Sequence, residues 1–304
     1  MSPKDTSQVF LIGSSDRAAA IKGLFEHAGL GDLSDQSVAL KANFNNADPF
    51  PASTHPDTLR AIVMLLKEAG AREITLAERS GMGDTRGVLE KLGIFALSEQ
   101  LDFKVVILDE EPEERWTHIE RSGTHWLRGF YLSKVVLEAD VVIQTCCLKT
   151  HRFGGHFTMS LKNSVGLVAK KVPGGHYDYM YELHGSPFQR LMVAEINKSY
   201  PVDFVVMDAA KAFVDGGPDK GTEVEPGLML AGKDRVALDA AGVAILREFG
   251  ASSLMKKPVF ELDQIRRAAE LGVGAGSASA VELVPLDEQS RQAAERIWTV
   301  LALE

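Results

Sequence analysis

Residues 36–78 read QSVALKANFNNADPFPASTHPDTLRAIVMLLKEAGAREITLAE, and their periodicities decide the fold. Gln36–Leu40 is a short apolar run of strand length, and Lys41 to His55 is a polar loop. Pro56 opens a helix, because its fixed φ suits the first turn and its missing N–H costs nothing there. Helical spacing of apolar residues continues through Leu66 to Ala69, where Gly70 stops it. Glu73–Ala77 is again strand-like. Two strands joined by a helix of this length pair in parallel, since a crossover is what a parallel pair requires.

The same alternation extends outward. Upstream, Gln8–Ile12 reads as a strand and Arg17–Ala28 as a helix closed by Gly29. Downstream come a helix (Asp84–Leu92) and a strand (Phe103–Leu108). The pattern breaks from Asp109 to Phe130, where Trp116–Glu120 and His125–Tyr131 flank a Ser122-Gly123 turn and predict an inserted β-hairpin near 112–131. Ser133–Ala139 is helical and Asp140–Thr145 an apolar strand. A long segment rich in glycine and lysine, Cys147 to about Ser186, follows, and segments of that length inside a domain usually carry function. Then come a helix (Phe188–Lys198), strands at Asp203–Met207 and Gly227–Ala231, and a helix (Asp234–Phe249) with a small-residue surface and Asp234 as N-cap. The last elements read as helix (Val259–Leu271), strand (Ala280–Val284) and helix (Glu288–Leu301). The expected class is α/β: a mostly parallel sheet with helices on both faces. No repeat or linker divides the chain, so residues 1–304 are expected to form one domain, with room for two lobes about a cleft near residues 146–186.

The 304 residues are 45% hydrophobic and 25% charged, which fits a globular protein and not a disordered or coiled-coil one. Thirty-three Lys and Arg stand against 42 Asp and Glu, a net charge of −9. That balance argues against a nucleic-acid partner, for which surplus positive charge is needed. Met1 to Phe10 shows no signal-peptide character, and no run approaches the ~18 apolar residues of a membrane span. A cytoplasmic protein with no membrane association is expected. The two cysteines, Cys146 and Cys147, are adjacent; they suit neither a disulfide nor the four thiolates of an iron–sulfur cluster carried by this chain alone.

In parallel sheets, ligands bind beyond the carboxyl ends of the strands, which selects the loops to inspect. The densest group of chemical side chains follows the strand ending at Thr145: Leu148-Lys149-Thr150-His151, then Gly154-Gly155-His156-Phe157-Thr158, then Leu161-Lys162-Asn163. Lys149 and Lys162 suit a carboxylate or phosphate as point charges. His151 and His156 could act as acid and base or ligate a divalent metal, with Glu78 as a third ligand. Thr158 and Asn163 would orient a ligand. Lys41, Asn43, Asp215 and the helix start Thr54-His55 are further binding candidates from neighbouring loops, although Thr54 or His55 could serve simply as a cap. The alternative reading of the whole group is a solvated polar loop. Gly81-Met82-Gly83 and Gly272-Val273-Gly274 do not fit the dinucleotide fingerprint, Gly216 to Thr222 lacks the P-loop lysine, and neither G-x-S-x-G nor H-E-x-x-H occurs.

These pieces, in this order, resemble the domain-of-unknown-function family 362. The likeness is carried by Lys41-x-Asn43, Thr54-His55-Pro56, the Leu65–Glu78 block with Gly70-Ala71, and Leu148-Lys149-Thr150-His151. It continues through Thr158-x-x-Leu161-Lys162-Asn163-x-x-Gly166, Asp215-Gly216-Gly217-Pro218-x-x-Gly221 and Asp234-x-Val236-Ala237-x-Asp239, so the family-like core spans about residues 36–250. Many members are associated with iron–sulfur proteins and some carry a fused ferredoxin-like module, which the cysteine count does not support here. A looser likeness is to lactate racemase-type proteins, which hold a nickel cofactor; its cofactor residues do not align one by one, so nickel is not implied. The leading expectation is an enzyme acting on a small anionic molecule, a carboxylate or phosphate, by His/Lys acid–base or metal-assisted chemistry. The alternatives are a non-catalytic accessory protein for an iron–sulfur partner, or a small-ligand-binding protein.

Overall fold

A computed structural model describes residues 6–153 and 156–302; Met1–Asp5 of the N-terminal stretch and the Gly154-Gly155 pair lie outside the described residues. The strands are β1 (Ser7–Gly13), β2 (Ser37–Lys41), β3 (Glu73–Glu78), β4 (Lys104–Ile107), β5 (Trp116–Ile119), β6 (Phe130–Ser133), β7 (Val141–His151), β8 (His156–Thr158), β9 (Phe204–Phe213), β10 (Glu223–Val224), β11 (Leu228–Gly232) and β12 (Val281–Pro285). The main sheet runs β12-β1-β11-β9-β7-β2-β3-β4, with β8 on β7 and β10 on β9; β5 and β6 form the inserted hairpin. The expected α/β class and the mostly parallel sheet are both present. The pairs β2–β3, β2–β7, β3–β4, β7–β9 and β1–β12 are parallel.

Alternation along the strands separates the two faces. Val38 and Leu40 of β2, Ile74 and Leu76 of β3, and Phe204 and Val206 of β9 share one core with the helices Arg17–Ala28 and Pro56–Glu68. Their neighbours Val205 and Met207 face the opposite way, against the helix Arg235–Glu248, which is buried on every side from Arg235 to Leu246. Ala39 and Ala77 turn towards the hairpin and the helix Gln189–Ile196. Asp234 caps the central helix as expected, accepting from the Val236 and Ala237 amides at 2.8 and 3.0 Å. At the first helix, Gly29 takes the left-handed conformation (φ 63°) that ends it.

Several elements differ from the sequence reading, each for a physical reason. β11 pairs antiparallel with both β9 and β1; the β9–β11 connection carries only the short strand β10 and no helix, and an antiparallel return needs no helical crossover. The second hairpin arm begins at Phe130 and not at His125, because the His125 and Leu127 amides donate to the Glu195 and Glu182 carboxylates (2.8 and 2.6 Å) and are lost to the ladder. Polar β7 residues past Thr145 were expected to be loop, yet the strand continues to His151, fully buried and flanked by β8 and the far half of β9. Ile94–Leu101 and Tyr179–Gly185 are additional helices.

Candidate functional site

The chain passes from β2 to β3 and β4 on one side, then returns to place β7 on the other side of β2. Neighbouring connections diverge there, and a crevice opens beyond the carboxyl ends of β7, β2 and β3. A cavity of ≈ 290 Å³ occupies it, lined by Lys41, Asn43, Arg79, Lys149, His151, Thr158, Lys162 and Asn163 and flanked by Met180, His184 and Pro218.

Lys41 is the last residue of β2 and lies on the face opposite Leu40. Its Nζ sits 2.8 and 3.0 Å from the two oxygens of Glu78, the last residue of β3, and 3.4 Å from Asn163 Oδ1. Both members of the ion pair are buried, with side-chain exposures of 2% and 0%. Burial lowers the Lys41 ammonium and raises the Glu78 carboxyl, and their mutual attraction offsets part of each shift. The turn that follows Asn163 must pass close to this lysine. A Cβ on Gly166 would lie 2.7 Å from Lys41 Cε, so glycine is the residue that fits.

Lys149, on β7, points into the loop after β2. Its Nζ donates to Asn43 Oδ1 at 2.7 Å, to the Pro51 carbonyl at 3.2 Å and to the Ala52 carbonyl. Asn43 is fixed in turn, its amide donating to Thr54 Oγ1 at 2.9 Å. His55 caps the following helix, its Nδ1 accepting from the Asp57 amide at 3.1 Å. The structure thus gives Thr54 and His55 scaffold contacts at the edge of the site.

Lys162 is different. It sits on the short helix Ser160–Asn163, partly buried at the cavity wall, with no hydrogen bond or ion pair to any described residue. The helix is held from behind by Asp239, which accepts from Ser160 N and Oγ and from Leu161 N at 2.8, 2.6 and 3.1 Å. Burial, reinforced by the charges of Lys149, Arg190 and Arg79, lowers the Lys162 amine to about 7. The same effects keep His151 neutral: burial first, then Lys162, Arg190, His184 and Lys149, push its imidazole down to about 2.

Arg79, directly after Glu78, joins these residues. Its side chain is buried, and its guanidinium contacts the Val165 carbonyl and, at 3.2 Å, Met180 Sδ. Its Nε and Nη1 are buried without partners among the described residues, as are His151 Nδ1 and Thr158 Oγ1, from residues that line the same cavity. Buried donors are rarely left unpaired, so such a cluster marks a place where a ligand completes the bonding. Burial pushes the guanidinium down to about 10, and Asp109, Glu78 and Asp178 counter it in part. Arg79 was not among the residues singled out in the sequence. The rule that selected Glu78, the carboxyl end of a strand, applies equally to the residue after it.

The remaining candidates lie apart. His156 pairs with His151 across β7 and β8 and, with Asp215 and Arg190, lines a neighbouring depression of ≈ 310 Å³. Asp215 holds its own turn, accepting from Thr222 N and Oγ1 at 2.9 and 2.8 Å. Glu78 is engaged by Lys41. The three residues considered as metal ligands, His151, His156 and Glu78, are therefore not gathered, and no group of three or more His, Cys, Asp or Glu among the described residues is arranged to hold a metal ion. Cys146 and Cys147 are buried, and burial raises both thiols, Cys147 to about 11. No helix of the described residues is long and apolar enough to cross a membrane.

Comparison with curated proteins gives no match. Among solved structures, the lactate racemase apoprotein from Thermoanaerobacterium thermosaccharolyticum is similar at 14% identity, with a TM-score of 0.47 over 98% of this chain and 88% of that one. The sequence profile described as Domain of unknown function (DUF362) matches residues 38–244, from β2 through most of the central helix. That span carries every cavity-lining residue named above, and the chain belongs to the DUF362 family.

Proposed function

We propose that the protein is an enzyme that binds a small carboxylate or phosphate in the β7/β2/β3 cavity and moves a proton on it with Lys162 and His151. The observation that carries this reading is the set of buried unpartnered groups lining one cavity, two guanidinium nitrogens of Arg79, Thr158 Oγ1 and His151 Nδ1, together with the Lys162 amine, which has no hydrogen-bond partner among the described residues. Lys41, Arg79, Lys149 and Lys162 line the cavity, no Asp or Glu among the described residues does, and Glu78 behind it is already paired with Lys41. An anion would supply the missing acceptors to buried donors, and hydrogen bonds to an ionised group are strong ones.

The volume suits a molecule of a few heavy atoms, since ≈ 290 Å³ lies at the lower edge of ligand-pocket sizes. Arg79 offers a fork for two oxygens of one anionic group. Lys162, near half-protonated at neutral pH, is poised as a general base or acid. A neutral His151 can hold a proton of the ligand in place through a hydrogen bond. No step is assigned to a metal.

Isothermal titration of the full-length chain with sulfate, inorganic phosphate and glycolate tests the binding half of this reading. Saturable binding that weakens at least tenfold, or about 1.4 kcal/mol, in both Arg79→Met and Lys162→Met is expected. Folded variants that bind all three probes as the parent does would refute it.

A further inference from the structure

The three lysines of the cavity differ in what their amines touch. Lys41 is held by a carboxylate and Lys149 by three protein oxygens, so both amines are committed. Lys162 has no acceptor among the described residues, and the charged groups facing it, Lys149, Arg190 and Arg79, are all cations. An amine in that setting is free to act as a nucleophile, because its lone pair is bound to neither a proton nor a partner for much of the time. Beside it are a guanidinium with two unpaired nitrogens and a neutral imidazole.

We propose that Lys162 is a carbonyl-reactive amine that forms an imine with a small 2-oxo acid, whose carboxylate is taken by Arg79. This rests on the reading of the cavity as an anion site and adds the substrate class. The neutral Nζ attacks the carbonyl carbon, and the electron pair of the C=O π bond moves to oxygen. A proton passes from nitrogen to that oxygen to give a carbinolamine. The hydroxyl then leaves as water, taking up one proton, as the nitrogen lone pair forms the C=N bond of a protonated imine; loss of its N–H proton returns the proton taken up, so that amine and carbonyl compound give imine and water. His151, with an unpartnered buried nitrogen, is placed to relay the protons. A carboxylate directly attached to the carbonyl places both reacting groups within a ligand short enough for the cavity.

The test is reductive trapping on the full-length protein. Pyruvate and, separately, glyoxylate are added with sodium cyanoborohydride at pH 7, where hydride adds to the imine carbon and leaves a stable secondary amine. Modified lysines are then mapped by peptide mass spectrometry. The peptide carrying Lys162 should be modified at least about a hundredfold faster than that of exposed Lys22, since only a neutral amine attacks a carbonyl. Saturating sulfate should slow the trapping, and Lys162→Arg should abolish the modification at that position. Lys162 left unmodified by both acids, or modified no faster than Lys22, overturns the proposal. So does trapping that sulfate does not slow, because Arg79 would then not be the carboxylate's dock. Sulfate binding in calorimetry with no trapping would remove the imine and leave the anion reading standing; absence of sulfate, phosphate and glycolate binding would remove the anion reading itself.

Discussion

Anion binding to this cavity should be coupled to proton uptake, and Lys162 sets the size of the coupling. Its amine titrates at about 7 in the empty site, depressed by burial and by Lys149, Arg190 and Arg79. A bound anion supplies the missing counter-charge and restores the amine towards its ordinary value of ~10.4. At pH 8 roughly a tenth of the free protein carries the proton and nearly all of the complex does, so binding takes up close to one proton. Affinity should fall by about tenfold, or ~1.4 kcal/mol, for each pH unit above 7, and level off below pH 6 where the amine is already charged. Sulfate and glycolate are suitable probes, because neither changes charge between pH 6 and 9. Calorimetry at pH 8 in two buffers of different ionisation enthalpy reads the proton number directly, and Lys162→Met should bring it close to zero. Affinity that does not vary from pH 6 to 9 would refute the reasoning. Uptake that survives undiminished in Lys162→Met would likewise remove Lys162 as the group that titrates.

Three further outcomes follow from the packing around the site. Glu78→Gln leaves the Lys41 ammonium buried without its counter-ion and should cost ~3–5 kcal/mol in urea unfolding, most of it recovered in Lys41→Met/Glu78→Leu, where neither charge is buried. Gly166→Ala places a methyl 2.7 Å from Lys41 Cε and should cost ~1–3 kcal/mol by the same assay. Asp239 is raised by burial to about 7 although Ser160 and Leu161 donate to it. Its carboxyl therefore keeps a proton that the unfolded chain has released, so its contribution to stability is present below pH 4 and is lost as pH rises to 7. Asp239→Asn should flatten that part of the stability–pH curve, measured as Tm from pH 4 to 7.

The strand–helix–strand units were legible because their signals are local. Pro56 and Gly70 bracket a helix, and apolar runs flank it, with no help needed from distant residues. Polar strands were not legible for the converse reason. Thr150 and His151 read as loop, but they are covered by β8 and by the outer half of β9, a pairing made beyond a register shift at Cys147/Leu148. The hairpin arm was misplaced in the same way: Glu182 and Glu195, more than fifty residues downstream, take the amides that a ladder would have used. Long-range polar contacts of this kind leave no periodicity to find.

The cavity shows the same limit at the level of single side chains. Lys41, Lys149 and Lys162 look alike in sequence, each a lysine two or fewer residues from an asparagine or threonine. Their chemistry is set by which acceptors the fold brings to them. Glu78 reaches Lys41 because β2 and β3 are parallel neighbours that end at the same level, so Lys41 serves as a structural cation. The loop after β2 wraps three oxygens around Lys149, and that amine ties the loop to β7. Lys162 comes from a turn that the fold anchors through Ser160 and Leu161, leaving the amine itself unbound. Two lysines thus build the walls, and burial together with the charges of Lys149, Arg190 and Arg79 keeps the third one partly neutral. Removing the positive charge of Lys149 should therefore raise the basicity of Lys162, and a site whose cations simply added their attraction for an anion would show no such shift.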